Sequence, residues 1–204
     1  MKILAINGSY RANGFTDQLL YTLSKKLEEG GAEIEQIDLR DYPINFCFNC
    51  RECTQREGNA PGKCIQNDAM TPLIDKIEMA DAYIFASPTN FGSVTALFKR
   101  FMERLVVYGY WPWGMAAPQY RKRHAPKKPA IIITSSAAPG IMARWLFSSV
   151  GQLKMTAKTV GAKVNKTLCT GLVSTTPYPE ITQAAHRRIQ AAANSLLGAT
   201  VKPK

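Results

Sequence analysis

Short apolar runs alternate with amphipathic stretches along the chain, and this alternation constrains the fold more than any other feature. Residues 2–7 (KILAIN), 82–87 (AYIFAS) and 130–136 (AIIITSS) are continuous apolar runs, typical of strands buried on both faces of a parallel sheet. Residues 32–39 and 164–172 complete a set of five predicted strands. The alternating polarity of 32–39 predicts a less buried position at the sheet edge.

Apolar residues at helical spacing separate the predicted strands. Thr16 is the predicted N-cap of the first helix, and Gly30 and Gly31 mark its end. Further helices are predicted after Asp68 and over residues 93–107, 141–160 and 181–197. Strands alternating with helices favour right-handed βαβ crossovers, so the sequence predicts an α/β, doubly wound parallel sheet with helices on both faces. In such sheets ligands bind beyond the carboxyl ends of the strands.

Length and composition predict one globular domain over residues 1–204. Hydrophobic residues make up 46% of the chain, which is enough for a continuous core. No apolar run approaches the roughly 18–20 residues that span a bilayer. The N-terminal MKILAINGS lacks the long apolar segment of a signal peptide, so we expect a cytoplasmic protein with no membrane partner.

The basic charge of the chain is confined to its second half. Residues 1–100 carry 11 Lys and Arg against 13 Asp and Glu, whereas residues 101–204 carry 15 against 2. A solvated basic face and an electropositive entrance for an anionic cofactor or substrate both fit this asymmetry. The densest basic stretch, RKRHAPKKP (121–129), comes without a recognition-helix or RNA-binding motif, so no nucleic acid partner is expected.

The loop after the first strand, NGSYRANGFT (7–16), has the composition of a phosphate site. Gly8 and Gly14 allow tight backbone, and the following helix N-terminus offers free amides with a partial positive charge. The spacing is neither the dinucleotide fingerprint G-x-G-x-x-G nor the P-loop G-x-x-x-x-G-K-[ST], and it suits a phosphate monoester. Side-chain donors and positive charge come from Ser9, Arg11, Asn13 and Thr16.

Two further loops follow the third and fourth predicted strands. SPTNFGSV (87–94) contains Asn90 with a donor and an acceptor, a flat Phe91, and Gly92, which permits close approach of a ligand to the backbone. SSAAPGIM (135–142) has small residues and a glycine before a helix. Together these loops suit a planar heterocycle with polar edges.

The chain resembles the NADPH-dependent FMN reductase family of flavodoxin-like proteins, which includes the iron–sulfur flavoproteins. The segments that carry the resemblance are MKILAINGSYRANGFT (1–16), CFNCRECTQREGNAPGKCIQNDAM (47–70) and SPTNFGSVTALFKRFMERL (87–105). The resemblance implies a flavodoxin-like, five-stranded parallel sheet in the order 2-1-3-4-5 and a tightly bound FMN. It also implies two-electron chemistry with NAD(P)H and assembly into homodimers or homotetramers.

The resemblance assigns FMN contacts by position. The phosphate would be held by Ser9, Arg11, Asn13, Gly14, Phe15 and Thr16. The isoalloxazine ring would be lined by Pro88, Thr89, Asn90, Phe91 and Gly92, and closed on its other side by Ser136, Ala137 and Gly140. Many members of the family carry Tyr at the position of Asn90, and Asn cannot stack on a ring. No catalytic acid or base is assigned, because the cofactor itself carries out hydride transfer.

Four of the five cysteines are spaced as C-x2-C-x2-C-x10-C, at Cys47, Cys50, Cys53 and Cys64. This spacing is close to that of Fe–S sites, so a [4Fe–4S] cluster is one interpretation, although relatives with a cluster motif usually have a shorter last gap. A Cys₄ zinc site, a redox disulfide and reduced, packed thiols are the alternatives. Cys169, within the last strand, is predicted to be a small buried hydrophobic residue.

An aromatic and basic insertion, YGYWPWGMAAPQYRKRHAPKKP (108–129), separates the third helix from the fourth strand. Its aromatic residues suit a cover over the flavin or a dimer contact. Its basic residues suit attraction of NADPH phosphates, the candidates being Arg121, Lys122 and Arg123. The remaining alternative is a surface excursion that packs on its own sheet.

Three functions follow from these features. The first is an FMN-dependent NAD(P)H oxidoreductase that passes hydride through FMN to a small-molecule electron acceptor such as a quinone or a flavin. The second is an iron–sulfur flavoprotein that acts as an electron carrier. The third, a protein that binds nucleic acid or a membrane surface through its basic half, ranks lowest because no recognition motif accompanies the charge.

Overall fold

The computed structural model describes residues 1–173, 176 and 179–200 of the chain. The strands within these residues are β1 (Lys2–Asn7), β2 (Glu33–Asp38), β3 (Ala82–Ala86), β4 (Gly109–Tyr110), β5 (Gln119–Tyr120), β6 (Lys128–Ser135) and β7 (Ala162–Thr170). The α-helices are α1 (Phe15–Glu29), α2 (Met70–Met79), α3 (Ala96–Arg104), α4 (Gly140–Leu146), α5 (Ser149–Thr159) and α6 (Gln183–Thr200). Short 3₁₀ helices lie at Glu52–Thr54 and Leu105–Tyr108.

Five parallel strands form the main sheet in the order β2-β1-β3-β6-β7. The short strands β4 and β5 form a separate antiparallel ribbon within the insertion. Without that ribbon the order is 2-1-3-4-5, so the predicted doubly wound sheet is confirmed. The strand order reverses between β1 and β3, and such a switch point leaves a crevice at the carboxyl ends of the two strands.

Both faces of the sheet are buried under helices. On one face the rings of Tyr83 and Phe85 stack with centroids 5.6 Å apart, and Phe98 of α3 meets Phe85 edge-on. On the other face α1 and α6 cover a core that includes Ile84 and Ile131. Burial on both faces is the physical reason why the central strands are continuous apolar runs.

The two edge strands are more polar than the central ones. Three of the six residues of β2 are exposed, which matches the edge position predicted from its alternating polarity. At the opposite edge, β7 exposes Lys163 and Lys166. Exposed charges on edge strands discourage pairing with other sheets. In the described part of the chain, no helix has both the length and the apolar character needed to cross a membrane.

The single helix predicted over residues 141–160 is wrong, because the structure divides this stretch into α4 and α5. The division occurs at Phe147, whose backbone is extended (φ −110°, ψ 146°). Ser148 donates from its amide at 2.9 Å and from its hydroxyl at 3.0 Å to the carbonyl oxygen of Gly92. A tertiary contact with the loop after β3 therefore ends α4, and helical periodicity in the local sequence does not reveal such a contact.

A buried ion pair joins α3 to the start of α2. Arg104, only 1% exposed, donates from Nη1 to Asp68 Oδ2 at 2.6 Å and from Nη2 to Asp68 Oδ1 at 3.0 Å. The Asp68 carboxylate also accepts from the amides of Asn45 (2.7 Å) and Met70 (3.1 Å). Burial raises the pKa of Asp68, but hydrogen bonds from Arg104 and the two amides outweigh burial, so its pKa lies below the usual value.

Replacing Asp68 with Asn leaves the buried Arg104 charge without its partner. We expect D68N to lower the free energy of unfolding by about 3–5 kcal/mol at neutral pH. Because folding lowers the pKa of Asp68, its stabilising effect is complete above the unfolded-state value of about 4 and is lost as pH falls through the lower folded-state value. Urea titrations from neutral to strongly acidic pH should show that the difference in the free energy of unfolding between wild type and D68N, the gap, becomes smaller. A gap that stays constant with pH would contradict this account.

Candidate functional site

The loops that follow β1, β3 and β6 are joined by hydrogen bonds at the carboxyl edge of the sheet. The Gly8 amide donates to the Ala86 carbonyl at 2.8 Å, and the Thr95 hydroxyl donates to the Gly8 carbonyl at 2.6 Å. The hydroxyl oxygens of Thr16 and Ser135 lie 2.8 Å apart and share a hydrogen bond. The three loops predicted to bind a ligand therefore form one connected surface at the switch point.

Three side chains that the sequence does not single out support the first loop. Asn7 donates from Nδ2 to Asp17 Oδ1 at 2.8 Å and accepts from the Ser9 amide at 3.0 Å. Arg40 donates from Nη1 to the Ser9 carbonyl and to Asp17 Oδ2, both at 3.0 Å. Asp17 Oδ2 also accepts from the Asn13 amide at 3.1 Å. The sequence signal for this network is slight: a polar Asn ends an apolar strand, and an Arg follows the second strand.

Among the residues that the structure describes, no side chain caps the N-terminus of α1. Gly14, and not Thr16, is the N-cap residue, so the predicted capping role of Thr16 is wrong. Thr16 lies inside the first turn, where its hydroxyl bonds to Ser135. Gly14 is extended, and Asn13 before it has a left-handed φ of 58°. The amides of the first turn and the partial positive charge of the helix end suit an anion.

The remaining predicted phosphate residues lie on the same loop with different orientations. The Ser9 hydroxyl donates to the Arg11 carbonyl at 3.1 Å, which tightens the loop. Arg11 is exposed. The Phe15 side chain is buried in the core beneath α1, so only the backbone of Phe15 is available to a ligand.

The loop after β3 forms a tight turn that presents Phe91 and Gly92. The amides of Asn90 and Ser93 each donate to the other's carbonyl, at 2.8 and 3.0 Å. Phe91 between them is fully exposed and has a left-handed φ of 50°, and Gly92 has a φ of 77°. Within the described residues the amides of Phe91 and Gly92 make no hydrogen bond. Left-handed backbone at a bulky residue is strained, and such strain is concentrated at binding sites.

The other residues of this loop divide between support and exposure. Thr89 turns inward, with Oγ1 at 2.7 Å from the Ser149 hydroxyl and 3.2 Å from the Thr134 hydroxyl. Its side chain therefore supports the loop and is not turned toward a ligand. Pro88 is half-buried, whereas Asn90 is exposed and its carboxamide has no hydrogen-bond partner in the described part of the chain.

The loop after β6 packs against the end of β7. The Ser136 amide donates to the Thr170 carbonyl at 2.9 Å. Gly140 faces β7, because a Cβ added to it would lie 3.2 Å from the backbone nitrogen of Gly171. Ala137 is left exposed at the loop surface. Of the three residues predicted to close the ring site, Ala137 is therefore the one that the structure leaves open to a ligand, while Ser136 and Gly140 hold the loop in place.

An exposed apolar surface lies beside the Phe91 turn, and we call it the α4 patch. Its members on α4 are Ile141, Met142, Trp145 and Leu146. The Ser148 bonds to Gly92 keep the end of α4 next to the Phe91 turn. A cavity of about 520 Å³ lies between α4 and α5. Contiguous exposed apolar residues of this kind mark binding surfaces.

The insertion packs on the cysteine loop (residues 47–64), whereas the surface-excursion alternative places it on the sheet. The Arg51 guanidinium lies 3.8 Å from the ring centre of Trp111 and 4.2 Å from that of Trp113. Arg121 is buried, and Lys122 forms an ion pair with Glu78. Arg121 and Lys122 are therefore not free to attract NADPH phosphates.

The four clustered cysteines have free thiols in one loop. Cys53 is buried, and its pKa is raised to about 11, first by burial and then by Cys64, Cys47 and Cys50. Arg104 Nη2 donates to Cys64 Sγ at 3.6 Å. In the part of the chain that the structure describes, no three His, Cys, Asp or Glu side chains are arranged as metal ligands. The thiols are close neighbours, but as arranged they do not form the ligand set of a cluster.

The family model of the NADPH-dependent FMN reductases matches residues 1–164. The chain belongs to this family, which confirms the resemblance found in the sequence. An iron-sulfur flavoprotein of Archaeoglobus fulgidus is 38% identical over 112 residues, which cover 55% of this chain and 49% of that protein. The chain thus spans about half the length of the curated relatives it matches.

Solved structures share the fold. An NAD(P)H:quinone oxidoreductase from Methanothermobacter marburgensis matches with a TM-score of 0.70 and 18% identity, covering 96% of this chain and 98% of that one. A flavodoxin from the domain Archaea matches with a TM-score of 0.57 and 10% identity, covering 99% and 100%. At these identities the similarity establishes the fold alone, which is flavodoxin-like.

Gly8 of the first loop lies against Phe98 of α3. A Cβ on Gly8 would lie 2.7 Å from Phe98 Cβ in the buried core. We therefore expect Gly8→Ala to lower the free energy of unfolding by about 1–3 kcal/mol.

The matched control is Gly198 of α6, where an added Cβ meets nothing within 4 Å. Gly198→Ala should leave the free energy of unfolding unchanged or raise it by up to about 1 kcal/mol. Urea unfolding measures both variants, and equal stabilities would contradict the close approach at Gly8.

Proposed function

We propose that this protein is an FMN-dependent NAD(P)H oxidoreductase that transfers hydride from NAD(P)H through FMN to a quinone, a flavin or a similar acceptor. The observation that carries the proposal is the connected surface at the switch point. It combines the N-terminus of α1 with the amides of Phe91 and Gly92, which make no hydrogen bond within the described residues. Membership of the FMN reductase family supports the cofactor. The shared fold of an NAD(P)H:quinone oxidoreductase agrees with the reaction class.

The phosphate of FMN is proposed to bind at the N-terminus of α1. The first-turn amides donate to it, and Arg11 adds positive charge beside the helix end. Asp17 lies in the same turn, but its carboxylate is paired with Arg40 at 3.0 Å. This pairing removes the repulsion that an isolated carboxylate would exert on a phosphate.

The isoalloxazine ring is proposed to lie against the Phe91 turn. The amides of Phe91 and Gly92 donate to the polar edge of the ring, where such donors stabilise the negative charge that builds up on reduction. The Asn90 carboxamide offers a further donor and acceptor, and Ala137 borders the other side. Bound FMN supplies the hydride chemistry, and the chain's own residues bind and orient it.

The alternative is an iron–sulfur flavoprotein that carries electrons with a [4Fe–4S] cluster at Cys47, Cys50, Cys53 and Cys64. Relatives of that name and the proximity of the four thiols support it. The oxidoreductase stands first because the loops at the switch point offer hydrogen-bond donors to a flavin, whereas the thiols as arranged do not form a ligand set among the described residues. The two functions differ in their electron donor, which is NAD(P)H for the oxidoreductase and a reduced protein for the carrier.

Anaerobic stopped-flow absorbance of the FMN-loaded protein tests the proposed function. We expect NADPH, NADH or both to bleach the flavin absorbance, and a quinone to restore it. If neither nucleotide bleaches the flavin, the oxidoreductase proposal fails. Iron and sulfide analysis of the same anaerobic preparation then tests the carrier.

The same preparation tests the phosphate site. Arg11→Ala should weaken FMN binding about tenfold or more, because a charged hydrogen bond is worth about 1.5–3 kcal/mol. It should leave riboflavin binding unchanged, because riboflavin lacks the phosphate. Arg187→Ala, at an exposed position on α6, is the matched control.

We also propose that the protein assembles as a homodimer or homotetramer through the α4 patch. Together with Phe91, the patch is a contiguous group of exposed apolar side chains and not a single exposed residue. A second copy of the chain would remove these side chains from water. This contact would also cover the proposed flavin site.

Sedimentation velocity tests the assembly. We expect the wild type to be oligomeric and Trp145→Ser to weaken association at least about tenfold, because buried Trp side chains dominate interfaces. Tyr21→Ser, at an exposed aromatic residue on α1, should not weaken it. A monomeric wild type would overturn this proposal.

A further inference from the structure

The cysteine loop and the insertion meet around one buried guanidinium group, that of Arg121, which is 7% exposed. Its Nη2 donates to the carbonyls of Cys53 at 3.2 Å and Arg56 at 2.8 Å, and its Nη1 donates to the carbonyl of Gly58 at 3.0 Å. Its Nε donates at 3.1 Å to the carbonyl of Val107, just before the insertion, and to that of Gly109, within it. One side chain thus joins three points of the cysteine loop to two points of the segment that carries it.

Arg121 is neutralised by no acidic side chain among the described residues. A guanidinium keeps its charge in proteins, and a buried charge is costly unless its donors are satisfied. Here backbone carbonyls alone satisfy them. The loop therefore has to wrap around Arg121 to place those carbonyls, and the loop's fold is tied to that side chain.

A second set of contacts repeats the connection. The Arg51 guanidinium lies between Trp111 and Trp113, and its Nη2 donates to the Trp111 carbonyl at 2.6 Å. The Trp111 amide donates to the Thr54 carbonyl at 2.9 Å. The amide of Gly62 donates to the carbonyl at residue 107 at 2.8 Å.

The long gap between the third and fourth cysteines, residues 54–63, supplies most of these partners. The carbonyls of Arg56 and Gly58 accept hydrogen bonds from the Arg121 guanidinium. The Gly62 amide donates to the Val107 carbonyl, just before the insertion. At Gly62 the chain touches itself, because an added Cβ would lie 1.7 Å from the Cys53 carbonyl oxygen. The ten-residue gap and the insertion therefore fit each other as two parts of one substructure.

We propose that the insertion holds the cysteine loop in its fold, through Arg121 and Arg51, without a metal ion or a disulfide bond. These contacts then order the loop. In a loop that lacks such contacts, a ligated cluster provides the order. This inference concerns a different part of the molecule from the flavin site and stands independently of the proposed function.

Hydrogen exchange measured by mass spectrometry on the reduced, chelator-treated full-length protein tests the proposal. The amides of Thr54, Gly62 and Trp111, which bond within this substructure, should be protected with no metal present. Arg121→Ala should speed their exchange at least about tenfold, since it removes five charged hydrogen bonds. Arg123→Ala is the matched control, because Arg123 is exposed and its guanidinium bonds, within the described residues, only to Gln119 Oε1, at 2.7 Å. The three amides should exchange at the same rate in Arg123→Ala as in the wild type.

A second measurement keeps the test decisive if Arg121→Ala fails to fold. Arg121→Lys retains the charge but offers fewer donors, so it should give intermediate protection. Alkylation of buried Cys53 by iodoacetamide, followed by peptide mapping, should be slowest in the wild type, faster in Arg121→Lys and fastest in Arg121→Ala. Rapid exchange of these amides in the metal-free wild type, or protection that appears only when ferrous iron and sulfide are added, would overturn the proposal. The proposal would also be overturned if the amides of Arg121→Lys exchanged at the wild-type rate.

Discussion

Burial of the parallel sheet on both faces is the constraint on which the rest of this structure depends. Its central strands are apolar throughout, so polar and charged chemistry is moved to the loops at the strand ends. Strand order reverses between β1 and β3, and the loops after β1, β3 and β6 meet there and bond to one another. The candidate flavin site is a consequence of how the sheet is buried and wound.

Helix α3 connects this site to the cysteine loop. At its start, Thr95 caps the helix by accepting from the Phe98 amide and bonds the first loop through the Gly8 carbonyl. At its end, Arg104 pairs with Asp68 and donates to Cys64. Nine residues at about 1.5 Å each put these two ends roughly 13 Å apart. One rigid element thus holds both sites in a fixed relation, while Arg121 orders the outer part of the cysteine loop.

Periodicity was sufficient to predict the sheet and most of the helices, because burial against a sheet forces a local repeat of apolar residues. It did not predict the break between α4 and α5, which depends on the bonds from Ser148 to Gly92, far away in sequence. Residue type alone misassigned Thr16 as the N-cap. A hydroxyl residue at a helix start looks the same in sequence whether it caps the helix or bonds to a strand.

The sequence by itself determined the strand and helix order, the position of the three ligand loops and the family, because each is written in local patterns of residue type. Only the tertiary structure decided which side chains support those loops and which remain open to a ligand, as Thr89 and Ala137 illustrate. Only the tertiary structure also revealed that Arg121, one of a run of basic residues, is buried among carbonyls while its neighbour Arg123 is exposed. The physical reason is that a guanidinium is buried where distant backbone segments supply its acceptors, and no local pattern records where those segments meet.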